Sequence, residues 1–122
     1  MTTRTFSIAA VVAADGTGTF YSPYFSGTVR AIQYIKTDYA DTADFAITLD
    51  VSGQGLWTEA NVTAAATKYP LTAAHSTVGV AVTYDGTRPI LVPVIASRDR
   101  VKIIIAQGGT STTGAFKVTV EE

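Results

Sequence analysis

The sequence predicts an all-β chain, a single-domain β-sandwich of jelly-roll or Greek-key type with about eight strands spanning residues 1–122. Three observations point there. Apolar residues recur with period two over most of the chain. Turn dipeptides divide the alternating runs at intervals of about 8–12 residues, the spacing of sandwich strands. Helical periodicity is nearly absent.

Residues 4–13 open the series, with Phe6, Ile8, Ala10 and Val12 on one parity and therefore on one strand face. The run from Arg4 to Ala14 faintly resembles a signal peptide, but Thr5 and Ser7 interrupt its start. MTTRTFS has no turn signal of its own, so residues 1–7 also read as an extended N-terminal arm able to add a strand to a neighbour. Asp15-Gly16 marks a turn, and strands 19–25 and 28–36 follow on either side of a corner at Ser26-Gly27. In 28–36 both parities are partly apolar, which predicts a central strand between two packed layers. Phe45, Ile47, Leu49 and Val51 alternate with Ala46, Thr48 and Asp50, a half-buried strand over 44–51 that ends at Ser52-Gly53.

Residues 58–69, TEANVTAAATKY, hold the best helical stretch, but three threonines and a valine lower its propensity and Pro70 stops it. The expectation is a turn of helix at most, or a long irregular connection. Strands 78–84, 90–96, 101–107 and 115–121 complete the set, with corners at Asp85-Gly86 and Gly108-Gly109. Pro89 and Pro93 place RPILVPV (88–94) at a sheet edge or in an extended crossing, because proline gives no N–H to a ladder. Val101-Lys102-Ile103-Ile104-Ile105 is apolar enough to be covered on both sides.

A chain of 122 residues, 47% hydrophobic and 16% charged, can build a core without disulfides or metal. Nine basic against ten acidic residues leave no surplus for nonspecific nucleic-acid binding. No apolar run reaches the roughly 18 residues of a membrane-spanning helix. Cysteine is absent, which removes disulfides, thiolate metal sites and cysteine nucleophiles.

Four patterns carry possible chemistry. Gly109-x4-Gly114 has the glycine spacing of a phosphate-cradling loop, yet Ala115 and Phe116 follow it, Lys117 comes two places late, and a strand rather than a helix continues. It reads as a hairpin corner in which Gly108, Gly109 and Gly114 supply positive φ angles. His75 is the one histidine; its neighbour Ser76 points to the opposite face of an extended chain, so the two form no nucleophile–base pair. Asp38, Asp41 and Asp44 are weak candidates for a cation, though their spacing is not that of an EF-hand loop and aspartates favour turns for local reasons. The aromatics of FYSPYF (20–25) and Trp57 are the remaining pattern. Tyr21, Tyr24, Phe25 and Trp57 are candidate interface residues, with two of the four FYSPYF aromatics expected to face outward. No catalytic set and no cofactor is expected.

The stretches ATKYPLTAAHST (66–77), TYDGTRPILVPV (83–94) and RVKIIIAQGG…GAF (100–116), with AIQYIKTDYADTADFAIT (31–48), together resemble a family of short proteins that tailed-phage genomes encode beside capsid and portal genes. The resemblance implies a virion or assembly protein. By analogy with small β-sandwich proteins of that neighbourhood, it further implies a capsid decoration, or cement, protein without enzymatic activity. Such a protein would bind the major capsid protein on the capsid exterior as a homo-oligomer, a trimer above all, after assembly in the host cytoplasm. Neither nucleic acid nor membrane is an expected partner. A head–tail connector or tail component is the alternative in the same setting, and a carbohydrate-binding, lectin-like module the alternative from another class.

Overall fold

A chain whose strands each carry one apolar face must bury those faces against one another, and two antiparallel sheets laid together do so. The computed structural model describes residues 2–122 and holds ten strands: β1 (Thr3–Val11), β2 (Gly18–Tyr21), β3 (Phe25–Lys36), β4 (Asp44–Leu49), β5 (Gly55–Glu59), β6 (Ala66–Lys68), β7 (Leu71–Ala73), β8 (Leu91–Asp99), β9 (Val101–Ala106) and β10 (Thr113–Glu121). Among the described residues there is no helix. A six-stranded sheet runs β1-β10-β3-β8-β7, with β6 also paired to β3, and a four-stranded sheet runs β2-β9-β4-β5. Every pairing is antiparallel. The result is the all-β, sandwich-like domain expected, with ten strands rather than about eight.

The core forms where the two sheets face each other. Phe6, Ile8, Val29, Ile32, Val118 and Val120 from the larger sheet meet Ile47, Leu49, Val101, Ile103 and Ile105 from the smaller. At one end the filling is aromatic. Tyr34 stacks on Phe116 with ring centroids 5.3 Å apart and meets Phe45 edge-on at 4.7 Å, while Phe45 meets Trp57 edge-on at 5.4 Å. Offset and edge geometries of this kind add to the burial of each ring.

Strand β3 is central in its sheet, between β10 and β8, but only one of its faces is covered. Thr119 pairs with Ala31 and Val120 with Val29, leaving Arg30 as the extra residue of a bulge. The bulge turns Val29 to the same inner face as Ile32 and Tyr34, so a sequence that looks two-faced is a one-faced strand with a shifted parity. In β9, likewise, Val101, Ile103 and Ile105 are buried while Ile104 is exposed on the outer face.

The corners also differ from expectation. Ser26-Gly27 is a bulge inside β3; the crossing between sheets comes earlier, at Ser22-Pro23. Ser22 is buried there, its N–H donating to Val101 O at 3.0 Å and its Oγ accepting from Val101 N at 2.9 Å. The connection from β8 to β9 crosses sheets at Asp99, a buried carboxylate that accepts N–H bonds from Val51 (2.8 Å), Ser52 (3.0 Å) and Arg100 (2.8 Å). It clasps the β4–β5 turn to the crossing. Burial opposes its charge, yet the three N–H donors outweigh that and hold its pKa below the ordinary carboxylate value.

Residues 107–112 join β9 to β10 across the sandwich, so the loop is an arch rather than a hairpin. Of its glycines Gly109 has φ +97°, whereas Gly108 and Gly114 do not take positive φ. Gly114 serves close approach instead: a Cβ there would sit 2.6 Å from the Tyr39 ring. Residues 58–69 form the end of β5, an irregular turn and β6, with no helical turn. Thr3–Ser7 pair with Lys117–Glu121 of the same chain, so these residues are not a free arm; the part of that expectation falling on Met1 lies outside the described residues. The segment expected as strand 78–84 is not part of the sandwich at all.

Candidate interaction surface

Between β7 and β8 the chain leaves the sandwich as a double hairpin, residues 74–90. The first hairpin turns at Ser76–Val80, where Ser76 N donates to Val80 O at 2.7 Å and Gly79 N to Ser76 O at 2.9 Å. The second turns at Asp85-Gly86, where Tyr84 N donates to Arg88 O at 3.1 Å and Asp85 Oδ1 accepts from Thr87 N (3.0 Å) and Arg88 N (2.6 Å). The donors from Arg88 and Thr87 hold the exposed Asp85 carboxyl below its ordinary pKa. Three residues at the base close a ring of backbone bonds: Ala74 N to Ile90 O (2.8 Å), Ile90 N to Val82 O (2.9 Å), and Val82 N to Ala74 O (2.7 Å). The arm is thus tied by its own backbone.

Its side chains have almost nothing to pack on. From Leu71 to Pro93 no residue is fully buried. Val78 is 81% exposed, and Val80 and Tyr84 are also exposed. At the root the exposed side chains are again apolar: Tyr69 (70%), Leu71, Ile90, Leu91 and Ile95 (73%). Scattered surface hydrophobics need no explanation, but this concentration in one projecting segment is the mark of a contact surface. The arm's charges meet each other. Arg88 pairs with Asp85 at 2.7 Å and lies 5.7 Å over the Tyr84 ring.

A cleft of about 270 Å³ opens at the root, lined by Val29, Arg30, Ala31, Tyr69, Leu71 and Pro93 among others. Its origin is in the pairing. β6 joins β3 at Ile32–Tyr34 and β8 joins it from Phe25 to Val29, which leaves Arg30 and Ala31 without a ladder partner on that edge. Pro70 and Pro93, which have no N–H to give, border the gap.

The sequence-predicted residues lie elsewhere and only partly together. Tyr21 and Tyr24 are exposed, the two outward members of FYSPYF. Between them sits Arg100, its Cζ 3.9 Å from the Tyr21 ring centroid and 4.8 Å from that of Tyr24, with Nε donating to Asp50 at 2.9 Å. The bond to Asp50 raises the Arg100 pKa further. Nothing in the pattern of FYSPYF names Arg100 as their partner. Phe25 is buried against Phe6 at 5.6 Å and offers no surface. Trp57 is 7% exposed, its Nε1 donating to Glu59 at 3.0 Å, so it presents no face for a partner or a sugar. Both are corrections to the expected interface set, and parity is the reason, since each falls on the inner face of its strand.

The aspartates do not converge. Asp38 accepts from the backbone and hydroxyl of Thr113, Asp41 pairs with Lys36 at 2.6 Å, and Asp44 accepts from Asn61 N (3.0 Å) and Gln107 Nε2 (3.1 Å). Among the described residues no group of three such side chains could hold a metal ion. His75 is exposed on the first hairpin, bridged through its backbone to Ala81, and Ser76 Oγ accepts from Val78 N at 3.4 Å within the turn.

The arm had one legible signal. Gly79 and Gly86, at φ +79° and +83°, are its two turn glycines, and the β-propensity of VGVAVTYDG hides the first of them. No protein-family model, no curated protein and no solved structure matches the chain.

Proposed function

We propose that the chain is a non-enzymatic structural protein of a phage particle, a capsid decoration protein that binds the head shell as an oligomer. The observation that carries this reading is the projecting double hairpin with exposed Val78, Val80 and Tyr84, set beside an apolar cleft on a tightly packed sandwich. A rigid body with an apolar extension suits docking to a repeating surface, where many copies bind at once. Tyr84 of the arm and Tyr69 and Leu71 at its root fall within residues 66–77 and 83–94, two of the stretches that resemble the phage family, while Val78 and Val80 lie between the two. Three copies around a local threefold axis would match the symmetry of a shell, and the major capsid protein is the partner.

The test is direct. Cryo-EM of purified particles should show extra density on the shell that this fold fits, and mass spectrometry of the same particles should contain the chain. Bare shells together with absence of the chain contradict the proposal. A native ring of six or twelve copies would move the assignment to a head–tail connector.

A further inference from the structure

We infer that the arm of one copy seats in the cleft at the arm root of a second copy, each molecule giving one arm and receiving another. This rests on the oligomeric part of the proposed function and names the two surfaces that meet.

Three observations carry it. First, the arm does not cover its own root. Val78, Val80 and Tyr84, at or beside the two turns, and Tyr69 and Leu71, at the root, are exposed together, while backbone bonds among Ala74, Val82 and Ile90 tie the two hairpins into one unit. A second copy can reach both surfaces. Second, the surfaces match in chemistry. The arm brings Val78, Val80 and Tyr84 with its one ion pair already closed between Asp85 and Arg88. The cleft offers Ala31, Tyr69, Leu71 and Pro93, and its one charge, Arg30, pairs with Glu121 at 3.3 Å. Neither side carries an unmatched charge into the contact, where burying one is costly. Third, the size is right. Eight large apolar side chains between Tyr69 and Ile95 are exposed, each aromatic among them offering roughly 150–250 Å². Arm and root together, used in one reciprocal contact, are on the order of the ~800 Å² per partner of a stable interface. A reciprocal or cyclic exchange uses both surfaces of every copy and closes without a free end.

The absence of cysteine makes the test clean. Two variants of the full chain, Val80→Cys on the arm and Leu71→Cys at the cleft, both alter exposed positions and should leave the fold intact. Mixed and exposed to mild oxidant, they should form disulfide-linked pairs at least about tenfold faster than either variant alone, because docked thiols see a millimolar effective concentration. Light scattering of the unaltered chain should give a mass above one copy, and Val78→Asp with Val80→Asp should reduce it to one copy with the β-sheet circular dichroism unchanged. A wild-type chain that stays single, or Val80→Cys that cross-links to itself faster than to Leu71→Cys, overturns the inference. A single-copy chain that still coats shells removes this inference and leaves the decoration reading standing. A cross-linking oligomer absent from particles does the reverse.

Discussion

Asp99 shows how much one side chain can hold. Its carboxylate is 2% exposed and is stabilised by three backbone N–H donors, two of them from a turn nearly fifty residues away in sequence. Because its folded pKa lies below the unfolded value, it contributes stability above about pH 4 that is lost as pH falls through the folded pKa. Asp99→Asn keeps the shape but turns an NH2 toward N–H donors. It should cost about 2 kcal/mol at neutral pH, and the variant should lose part of the acid dependence; equal acid profiles in urea titrations of the two proteins would contradict this. Tyr34 presents the opposite case. Its ring fills the aromatic end of the core, while its hydroxyl is buried without a hydrogen-bond partner among the described residues. Burial, with a smaller contribution from Asp41, pushes its pKa up to about 12. Tyr34→Phe should therefore leave stability unchanged or raise it by about 1 kcal/mol, and a loss of that size in chemical denaturation would show that the hydroxyl is satisfied. Neither role can be read from composition. An aspartate in SRDR and a tyrosine in IQYIK look like surface and strand residues until the fold brings their surroundings together.

Among elements, the double hairpin behaves as a unit separate from the sandwich. Ala74 N already bonds to Ile90 O at 2.8 Å, so residues 75–89 can be replaced by Asn-Gly as a two-residue hairpin turn. The shortened chain should melt within a few degrees of the full one, since the removed segment buries no side chain completely. Loss of cooperative unfolding would mean that the arm supports the core. Alternation marks the observed strands where it is unbroken, as in β1, β4 and β10. It misleads where local pattern and tertiary role diverge: 78–84 alternates but has no sheet to join, and β5, β6 and β7 are too short to stand out. The bulge at Arg30 made β3 look two-faced, because a single extra residue shifts every side chain after it to the other parity.

For the whole molecule, binary pattern established the all-β class because it says which residues turn inward. It does not say which strand lies beside which. Thr3 pairs with Glu121, and the chain crosses repeatedly between sheets, an order that depends on long-range closure rather than on any local run. Tyr21 and Tyr24 are legible as outward aromatics but lie apart from the arm; the arm is closed by its own local backbone bonds, and the cleft exists only through the long-range pairing of β6 and β8 with β3. The central claim is that the apolar arm is an assembly surface. Sedimentation of the full chain beside the chain with 75–89 replaced, from about 1 to 100 μM, tests it most directly. The account predicts a multimer for the first and a folded single copy for the second; two identical single-copy profiles would contradict it.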